Sequence, residues 1–390
     1  ELVMLLNDHA AVFKPLSIEK AMAGQDVFVC YAPGSNEAPK APHVPLNNLL
    51  VLRNTDANRA ILHRILNALH SGLAARPEQL NEFECLELFN VLPTNATLLD
   101  AYINVNWQIA NWFNANIFVV NLGMSTKFDA AGNLKQELTH DPNLEKVILR
   151  QINGHLIEGK PMMQLPNYPA ISEDAVSHFN PDAKIALVTL YTHHITTYAR
   201  VSEHNVKRYC DRHGYAYHVY RGIPESIDPS IAGSWLKPYV LQKHFAGHEW
   251  IIWVDADVLF RNQMQKLEPL LQGRDLLFAK DLCAWPMNSG IMGFRNTPEN
   301  IELVSQLWQR IIDVKDKSTV YSDQGDQFHI INVLGEQGLL NETNVTSCLT
   351  INTAPPMSTP DSFLTHYIGW GDPYRSIYMA HDDAISQRRA

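Results

Sequence analysis

Two aspartates separated by one residue, Asp255 and Asp257, have the clearest potential for chemistry in this sequence. They directly follow Trp250–Val254, an unbroken apolar run rich in aromatic and β-branched side chains, which predicts a strand buried on both faces. Ligands of open α/β sheets bind beyond the carboxyl ends of such strands. Two carboxylates there repel each other unless a positive charge lies between them, and a hard divalent cation is the simplest candidate. The alternative is an ordinary strand-end turn in which both side chains are solvated.

The sequence around these aspartates resembles a known signature. Residues 253–260 read Trp-Val-Asp-Ala-Asp-Val-Leu-Phe, and this stretch resembles the Asp-x-Asp motif of GT-A glycosyltransferases. It looks most like glycosyltransferase family 34, the galactosyl-, mannosyl- and xylosyltransferases of the yeast Golgi and plants, with features of the glycogenin-like family 8. The resemblance covers residues 184–378, about half of the chain. It implies an α/β fold with a GT-A, Rossmann-like nucleotide-sugar domain.

A histidine far along the chain completes the metal site that the resemblance implies. The segment Thr365-His366-Tyr-Ile-Gly369 is similar to the C-terminal His-x-x-Gly motif of these families. A neutral imidazole beside the two carboxylates would give a Mn²⁺ or Mg²⁺ ion three protein ligands, Asp255, Asp257 and His366. Because the sequence contains 17 histidines, the alternative is that His366 has no such role.

Other motifs similar to those of the family predict contacts with a donor sugar nucleotide. Residues after the first strand of the second half would lie near the nucleotide, and the Trp-x-Lys element ending at residue 237 would present a lysine to a phosphate. An Asn-Ser-Gly turn would border the donor sugar, because an amide can pair with hydroxyls and glycine lets the backbone approach closely. The alternatives are a plain strand end, a surface lysine on a helix and an ordinary turn. The predicted binding residues are Thr189, Tyr191, Lys237, Asp255, Ala256, Asp257, Ser289, Gly290, Gly369 and Arg375.

Three residues are predicted to act at the reacting sugar. The pair Asp323-Gln324 resembles the Asp-Gln pair with which family members open a helix beside that sugar. Asp323 would orient a hydroxyl, and Gln324 would lie under the anomeric carbon. Asn288 would contact the donor sugar. The alternative for Asp323-Gln324 is an N-terminal helix cap with favourably placed acids, and it is compatible with the catalytic interpretation.

One motif departs from the family 8 pattern. In that family the His-x-x-Gly motif continues into Lys-Pro-Trp, whose lysine contacts the diphosphate, whereas this chain has Asp372-Pro373-Tyr374. A carboxylate cannot fill that role. Arg375 or Lys237 is the candidate replacement, or family 34, which lacks the lysine, is the better guide.

The resemblance therefore implies a metal-dependent, retaining glycosyltransferase. It would move a hexose from a nucleoside diphosphate sugar, a UDP-sugar or GDP-mannose, to a hydroxyl of a glycan or other acceptor. No conspicuous carboxylate nucleophile stands out in the sequence, so a front-face displacement near Gln324 is favoured over a covalent intermediate.

Two other functions fit the Asp-x-Asp pattern. One is a haloacid-dehalogenase-type phosphatase in which Asp255 is the nucleophile and Asp257 the acid/base. Asp382-Asp383 would then be the later acidic pair. The other is a non-catalytic protein that binds a sugar nucleotide or glycan.

Composition limits the class of protein and its partners. The chain has 390 residues, 46% hydrophobic and 18% charged, which predicts a soluble globular protein of two or three domains. A net charge of −10 without a basic run argues against a nucleic-acid partner. The five cysteines are scattered and show no Cys-x-x-Cys, so neither a disulfide framework nor a structural zinc site is expected.

The sequence also predicts a location. No apolar run approaches the roughly 20 residues of a membrane helix, so no transmembrane segment is expected in this chain. Together with the scattered cysteines this favours the cytoplasm. A Golgi-type lumen is the alternative if an N-terminal anchor was removed, since the chain begins with Glu1. An oligomer is compatible with the sequence.

The elements that position these motifs define three segments. Residues 1–158 alternate between strand and helix patterns and predict a separate N-terminal α/β domain of unknown role, with a helix after Asn54-Thr-Asp and another over residues 98–114. Residues 159–183 contain four prolines and predict a linker. Residues 184–390 predict the GT-A domain, which opens with a strand from Lys184, a helix closed by Gly214 and a strand over residues 215–220.

Overall fold

The computed structural model describes two compact units of the chain, residues 1–162 and 163–390. The residues described are 142–389, except 230, 283, 284, 323 and 360, and, before these, 2–6, 10–12, 18–22, 24, 26–31, 45–75, 97–98, 104–106, 119–121, 124–128 and 134–138. The two units are considered separately. Among the helices described, none combines the length and apolarity needed to cross a membrane.

The described residues of the first unit form helices and three small sheets. Its sheets have the strand orders β1-β4-β3-β5, β2-β7-β6 and β8-β9. Helix α2 follows the predicted cap, where the Thr55 hydroxyl accepts a hydrogen bond from the backbone of Asn58 at 3.2 Å. The elements are β1 Leu2–Leu6, β2 Ala10–Val12, α1 Ile18–Met22, β3 Val27–Tyr31, β4 Pro45–Arg53, α2 Asp56–Ala75, β5 Thr97–Leu98, β6 Asn104–Asn106, β7 Val119–Asn121, β8 Met124–Phe128, β9 Leu134–Leu138 and α3 Pro142–Glu158.

One predicted element of this unit is wrong. The sequence predicts a helix over residues 98–114, but the described parts of that range form strands, Thr97–Leu98 and Asn104–Asn106. The second of these pairs in parallel with Val119–Asn121. Pairing with a neighbouring strand therefore outweighs the helical spacing of the apolar residues, because strand preference depends strongly on tertiary context.

The second unit is built on a seven-stranded mixed sheet of order β10-β12-β11-β13-β16-β15-β17, with a separate two-stranded ladder β14-β18. Its elements are β10 Val176–Phe179, β11 Ile185–Leu190, α4 Thr196–His213, β12 Ala216–Tyr220, α5 Lys237–Gln242, β13 Trp250–Val254, β14 Val258–Phe260, α6 Glu268–Leu271, β15 Leu276–Ala279, β16 Asn288–Arg295, α7 Pro298–Ile312, α8 Asp326–Glu336, β17 Val345–Thr346, α9 Cys348–Ile351, β18 Leu364–His366 and α10 Tyr374–Arg389.

Both faces of this sheet are covered, which explains its apolar central strands. All of Trp250–Val254 is buried, as the unbroken apolar run predicts. On one face Ile252 packs in a core with Tyr209 of α4. On the other face Ile251 packs in a second core with Leu307 of α7 and helices α5 and α8. The predicted strand–helix–strand opening is present, and Gly214 ends α4 with a left-handed φ of 71°.

The stretch predicted as a linker contributes to the sheet. Residues 163–183 belong to the second unit, and strand β10 within them pairs antiparallel with β12. The strand is at the sheet edge, where flanking prolines such as Pro169 and Pro181 remove no ladder hydrogen bond. A short edge strand is therefore compatible with the proline density of this stretch.

The small ladder β14-β18 brings distant motifs together. Strand β14 begins directly after Asp257, and in the antiparallel register Val258 lies opposite His366. The backbone N–H of Tyr367 also donates to the Asp257 carbonyl at 2.9 Å. The two aspartates and the histidine, about 110 residues apart in sequence, are therefore neighbours in the fold.

Candidate active site

The Asp-x-Asp turn is fixed by its backbone at the end of β13. The N–H of Asp255 donates to the carbonyl of Gly290 on β16 at 2.8 Å, and the N–H of Val258 closes the turn onto the Asp255 carbonyl at 3.2 Å. The Trp253 indole N–H donates to Oδ1 of Asp255 at 2.6 Å. The carboxylate of Asp255 is therefore oriented by the strand that precedes it.

Asp255, Asp257 and His366 converge as the sequence predicts, and one ligand atom from each lies within 4.8 Å of the other two. His366 Nε2 is 3.1 Å from Oδ1 of Asp257 and 4.0 Å from Oδ2 of Asp255. Two carboxylate oxygens and one imidazole nitrogen are donors that suit a divalent cation. The donor set and its spacing therefore fit the metal that the sequence implies.

The tautomer of His366 follows from its other ring nitrogen. The Asn352 side chain donates through Nδ2 to the Lys280 carbonyl at 3.1 Å, which directs its Oδ1 toward His366. Nδ1 of His366 is 2.8 Å from that oxygen and so donates its proton to it. Nε2 is then the ring nitrogen that faces Asp257, which is the arrangement of a histidine ligand held by an outer partner.

Gly290 makes room for this imidazole. A Cβ atom at position 290 would lie 2.1 Å from Cε1 and 2.7 Å from Nδ1 of His366. No larger residue can occupy this position unless His366 moves. Glycine is therefore required at this position to leave space for His366, in addition to the close backbone approach predicted from sequence.

Lys237 is buried beside the same carboxylate. Its ammonium group lies 3.0 Å from Oδ1 of Asp255 and 3.0 Å from Oδ2 of Asp326. It also donates to the carbonyl and the hydroxyl of Ser289, both at 3.2 Å. Burial alone would lower the pKa of Lys237, but the two carboxylates outweigh it and raise the pKa above its usual value. The lysine is thus a permanent cation within the site.

The two aspartates of the motif have opposite pKa shifts. Burial raises the pKa of Asp255, against the effect of Lys237 and with a further contribution from the charge of Asp257. Burial also acts to raise the pKa of Asp257, but His366 and Arg375 outweigh it and lower the pKa to about 2. Two carboxylates this close are stabilised by a cation between them.

Arg375 lies on the other side of the motif. Its Nη1 is 3.1 Å from Oδ2 of Asp257, and its guanidinium lies over the ring of Tyr198, 4.7 Å from the ring centroid. A cavity of about 460 Å³ opens between these groups and the ends of the central strands. Its lining includes Tyr191, Tyr198, Lys237, Asp255, Ala256, Asp257 and Arg375. This volume is within the range typical of small-molecule sites.

The Asn-Ser-Gly segment, which the sequence predicts as a turn, forms the first three residues of strand β16 and contacts the start of helix α8. The Asn288 amide donates to Oδ2 of Asp281 at 2.9 Å and to Oε1 of Gln327 at 3.1 Å. The Ser289 N–H donates to the same Gln327 oxygen at 3.0 Å, and its hydroxyl donates to Oδ2 of Asp326 at 3.2 Å. Asp326 and Gln327 thus belong to the site, although the sequence analysis did not select them.

The sequence contains two Asp-Gln pairs three residues apart, and the second of them opens helix α8. Asp323 lies outside the described residues. Gln324 is exposed, and its backbone N–H donates to the Ser322 hydroxyl at 3.0 Å. Helix α8 begins at Asp326, so the helix-opening pair here is Asp326-Gln327. The sequence thus offered two candidate pairs for the start of this helix, and the prediction selected the first, Asp323-Gln324.

The remaining predicted residues differ in their contacts. Thr189 is buried and its hydroxyl donates to the Val254 carbonyl at 2.9 Å. Tyr191 lines the cavity, and its hydroxyl donates to Glu203 at 2.6 Å. Gly369 is exposed and has a left-handed φ of 73°, which favours glycine. Of these three, only Tyr191 is among the cavity-lining residues described.

Three further aspartates have structural contacts. Oδ1 of Asp372 accepts hydrogen bonds from the N–H and the hydroxyl of Ser376, so it caps α10 instead of approaching a phosphate. The later acidic pair that a phosphatase would need is buried: Asp382 pairs with Arg261, and Asp383 with Arg208. This pairing does not favour the phosphatase interpretation.

Comparison with known proteins agrees with the family resemblance. Residues 181–326 match the model of the galactosyl transferase GMA12/MNN10 family. No curated protein gives a significant match. The resemblance predicted from the motifs is therefore confirmed for the segment that contains Asp255 and Asp257.

Several solved glycosyltransferase structures are similar to the chain. One is a glycosyltransferase involved in the glycosylation of the major capsid of PBCV-1, with 19% identity over 50% of this chain and 98% of that chain, at a TM-score of 0.43. The galactosyltransferase LgtC, in complex with donor and acceptor sugar analogs, has 13% identity over 52% and 95% of the two chains, at a TM-score of 0.32. Apo GlyE of Streptococcus pneumoniae TIGR4 has 11% identity over 52% and 62%, at 0.36.

The α/β fold class predicted from sequence is confirmed by the seven-stranded mixed sheet and the helices that cover its two faces. The family match supports a transferase that uses a nucleotide sugar as donor and an acceptor as second substrate.

Proposed function

We propose that this protein is a metal-dependent, retaining hexosyltransferase that uses a UDP-sugar, or GDP-mannose, and a hydroxyl-bearing acceptor such as a glycan. The observation that carries the proposal is the convergence of Asp255, Asp257 and His366 beside a cavity of about 460 Å³. Such a donor set at the carboxyl end of a central strand suits the diphosphate end of a sugar nucleotide. Retention of configuration rests on the family resemblance alone.

In this proposal the three converging side chains hold a Mn²⁺ or Mg²⁺ ion. When bound, that ion supplies Lewis-acid stabilisation of the leaving diphosphate. Lys237, 3.0 Å from Asp255, and Arg375, 3.1 Å from Asp257, favour the ionised form of these two carboxyl groups. The Asn352 oxygen accepts a hydrogen bond from Nδ1 of His366, so Nε2 is the ring nitrogen that would coordinate the ion.

Two cationic side chains balance the charge around the donor. Three carboxylates, those of Asp255, Asp257 and Asp326, contact the cations Lys237 and Arg375, which leaves one negative charge among these five groups. A divalent cation reverses that sign and so favours a diphosphate anion. Arg375 faces the cavity and takes the diphosphate contact that Asp372 cannot make.

In our proposal the sugar of the donor contacts residues at the starts of strand β16 and helix α8, beside the aspartates. Asn288, Asp281 and Gln327 form a connected amide–carboxylate group. Amides and carboxylates of this kind pair with sugar hydroxyls, and such a prearranged group orients a substrate at low entropic cost. In our proposal Gln327, at the start of α8, takes the place under the anomeric carbon that the sequence analysis gave to Gln324.

The test is a thermal-shift panel of sugar nucleotides with and without Mn²⁺, followed by detection of released nucleoside diphosphate. A ligand that binds the folded state raises the melting temperature. We expect one donor to stabilise the protein only when Mn²⁺ is present, and slow release of nucleoside diphosphate from it. Binding without any release of nucleoside diphosphate, with or without an acceptor, would favour a non-catalytic binder. Release of phosphate from simple phosphoesters would favour a phosphatase.

A further inference from the structure

A second group of possible metal ligands lies at the edge of the large sheet. One ring nitrogen from each of His178, His218 and His244 lies within 4.8 Å of the other two. The described lining of the active-site cavity contains none of these residues. We propose that these three histidines form a second metal site, for a borderline transition ion such as Zn²⁺.

The core of this site is a pair of histidines on neighbouring strands. His178 on β10 and His218 on β12 lie directly opposite in the antiparallel register. Their Nδ1 atoms are 2.8 Å apart. Two ring nitrogens at this separation share either a proton or a metal ion, since two facing lone pairs would repel each other. Binding of an ion requires that the shared proton move to Nε2 of His178, which is an exposed residue.

Outer partners orient two of the three rings. Nε2 of His218 is 2.8 Å from Nε2 of His248, whose Nδ1 donates to the Ala183 carbonyl at 2.6 Å. The Ala183 carbonyl can only accept, so the proton of His248 is on Nδ1 and its Nε2 accepts a hydrogen bond. His218 therefore donates through Nε2, and its Nδ1 faces His178. Nε2 of His244 is 2.9 Å from the Tyr220 hydroxyl. Histidine ligands of metals typically have such a partner on the second ring nitrogen.

His244 would complete the site by turning its ring. It stacks on His218 with ring centroids 3.9 Å apart and an interplanar angle of 8°, so its lone pair lies in a plane parallel to that of His218. Because Nε2 lies close to the Cβ–Cγ axis, a rotation about that bond directs Nδ1 toward the pair while Nε2 stays near the Tyr220 hydroxyl. An ion can reach the pair from solvent because His178 is exposed, whereas His218 and His244 are buried.

The ligand set determines the class of ion. Imidazole nitrogens suit zinc, copper and nickel, whereas carboxylate oxygens suit magnesium and manganese. The proposed site offers only imidazoles, so it would select a different ion from the one expected at Asp255 and Asp257. A bound ion would also connect edge strand β10 to β12 and to His244, and would stabilise the attachment of that strand.

The experiment is isothermal titration of ZnCl₂ into the full chain with Asp257→Ala, which removes one ligand of the other metal group. Three proteins are compared: this background alone, with His178→Ala, and with His63→Ala, which replaces an exposed histidine of the first unit. We expect one Zn²⁺ per chain in the background, at least about 10-fold weaker binding with His178→Ala, and unchanged binding with His63→Ala.

A second variant tests the outer partner. Tyr220→Phe removes the hydroxyl that faces His244, and we expect about 10-fold weaker Zn²⁺ binding with the same stoichiometry. Melting temperatures without metal verify that each variant is folded. Absence of Zn²⁺ binding in the background, or equal affinity with and without His178, would overturn the proposal. Activity of the donor site is not needed for either result.

Discussion

The second unit contains two groups of metal-ligand type that differ in their surroundings. Asp255, Asp257 and His366 lie at the wall of a cavity, where Lys237 and Arg375 contact the two aspartates. The aspartate oxygens of this group carry negative charge. His178, His218 and His244 lie at a sheet edge, where imidazoles contact other imidazoles and a tyrosine. The first group suits a hard ion with a phosphate ligand, and the second a borderline ion without one.

The difference shows that spacing of ligand atoms is not sufficient to assign a role. Both groups have ligand atoms within 4.8 Å of one another. What separates them is the charge around each, the direction of the lone pairs and the presence of a cavity large enough for a substrate. The predictions below test whether the two groups behave as differently as these properties imply.

The largest difference is expected in turnover. Asp257→Ala removes a ligand of the proposed catalytic metal, and we expect kcat/KM for sugar transfer to fall on the order of 1,000-fold, because charge stabilisation at the leaving group is lost. The matched change His178→Ala is expected to leave kcat/KM within about 2-fold, since His178 is outside the described cavity lining. Steady-state kinetics with added Mn²⁺ measures both. Full activity of Asp257→Ala would contradict the proposed mechanism.

Acid should begin to destabilise the histidine group at a higher pH than the aspartate group. Burial, together with neighbouring imidazoles, lowers the pKa of His244 to about 4 and that of His218 to about 2, from 6.5. A lowered pKa means that the unfolded chain binds more protons, so stability is full above pH 6.5 and falls as the pH decreases through these folded-state values. We expect a loss on the order of 3 kcal/mol for His244 between pH 6.5 and 4.

Asp257 contributes to this loss only at lower pH, where His218 also titrates, because its pKa is lowered from 3.8 to about 2. Its contribution to stability is full above pH 3.8 and is lost as the pH falls toward 2. Urea unfolding of the metal-free protein at a series of pH values measures both effects. The variant His244→Gln should flatten the slope between pH 6.5 and 4 only; an unchanged slope in that range would show that His244 is not buried in its neutral form.

A smaller effect is expected from Gly290→Ala. The added methyl carbon would lie 2.1 Å from Cε1 of His366, so the imidazole must leave its place beside Asp257. We expect Mn²⁺ binding to weaken about 100-fold while the Zn²⁺ affinity of the histidine group is unchanged. Gly371→Ala is the matched control, because a Cβ there meets no atom within 4 Å. Equal Mn²⁺ binding in both variants would argue against His366 as a ligand.

The smallest effect is expected from Asn352→Ala. This change removes the oxygen that accepts the Nδ1 proton of His366 at 2.8 Å. The imidazole can then adopt the other tautomer, and we expect about 10-fold weaker Mn²⁺ binding. Titration of Mn²⁺ by electron paramagnetic resonance measures the change. If affinity were unaltered, the orientation of His366 would have to depend on packing alone.

The sequence predicted those parts of the site that depend on local patterns. An apolar run followed by Asp255 and Asp257 is sufficient to predict a buried strand that ends in two carboxylates, and the structure has that arrangement. His366 was identified through a motif, and its distance to Asp257 confirms that the two are neighbours. The compartment and the donor stay predictions.

Other parts depend on long-range packing that no local pattern contains. The start of α8 is set by Gly325, where a Cβ would lie 2.6 Å from the Val320 carbonyl oxygen, and this places the second Asp-Gln pair at the site. Asn352 belongs to no motif and reaches His366 only through the fold. The histidine group depends on the pairing of β10 with β12, within a stretch whose prolines predicted a linker.

The pairing of β14 with β18 has a consequence for which changes in length the chain can tolerate. Successive residues of a strand point to opposite faces, so a slip by one position would turn His366 away from Asp257. A single-residue deletion within Leu364–His366 would therefore disable the site while leaving the large sheet intact. Insertions beside the exposed Asp361 do not alter this alternation, so the site is expected to tolerate them.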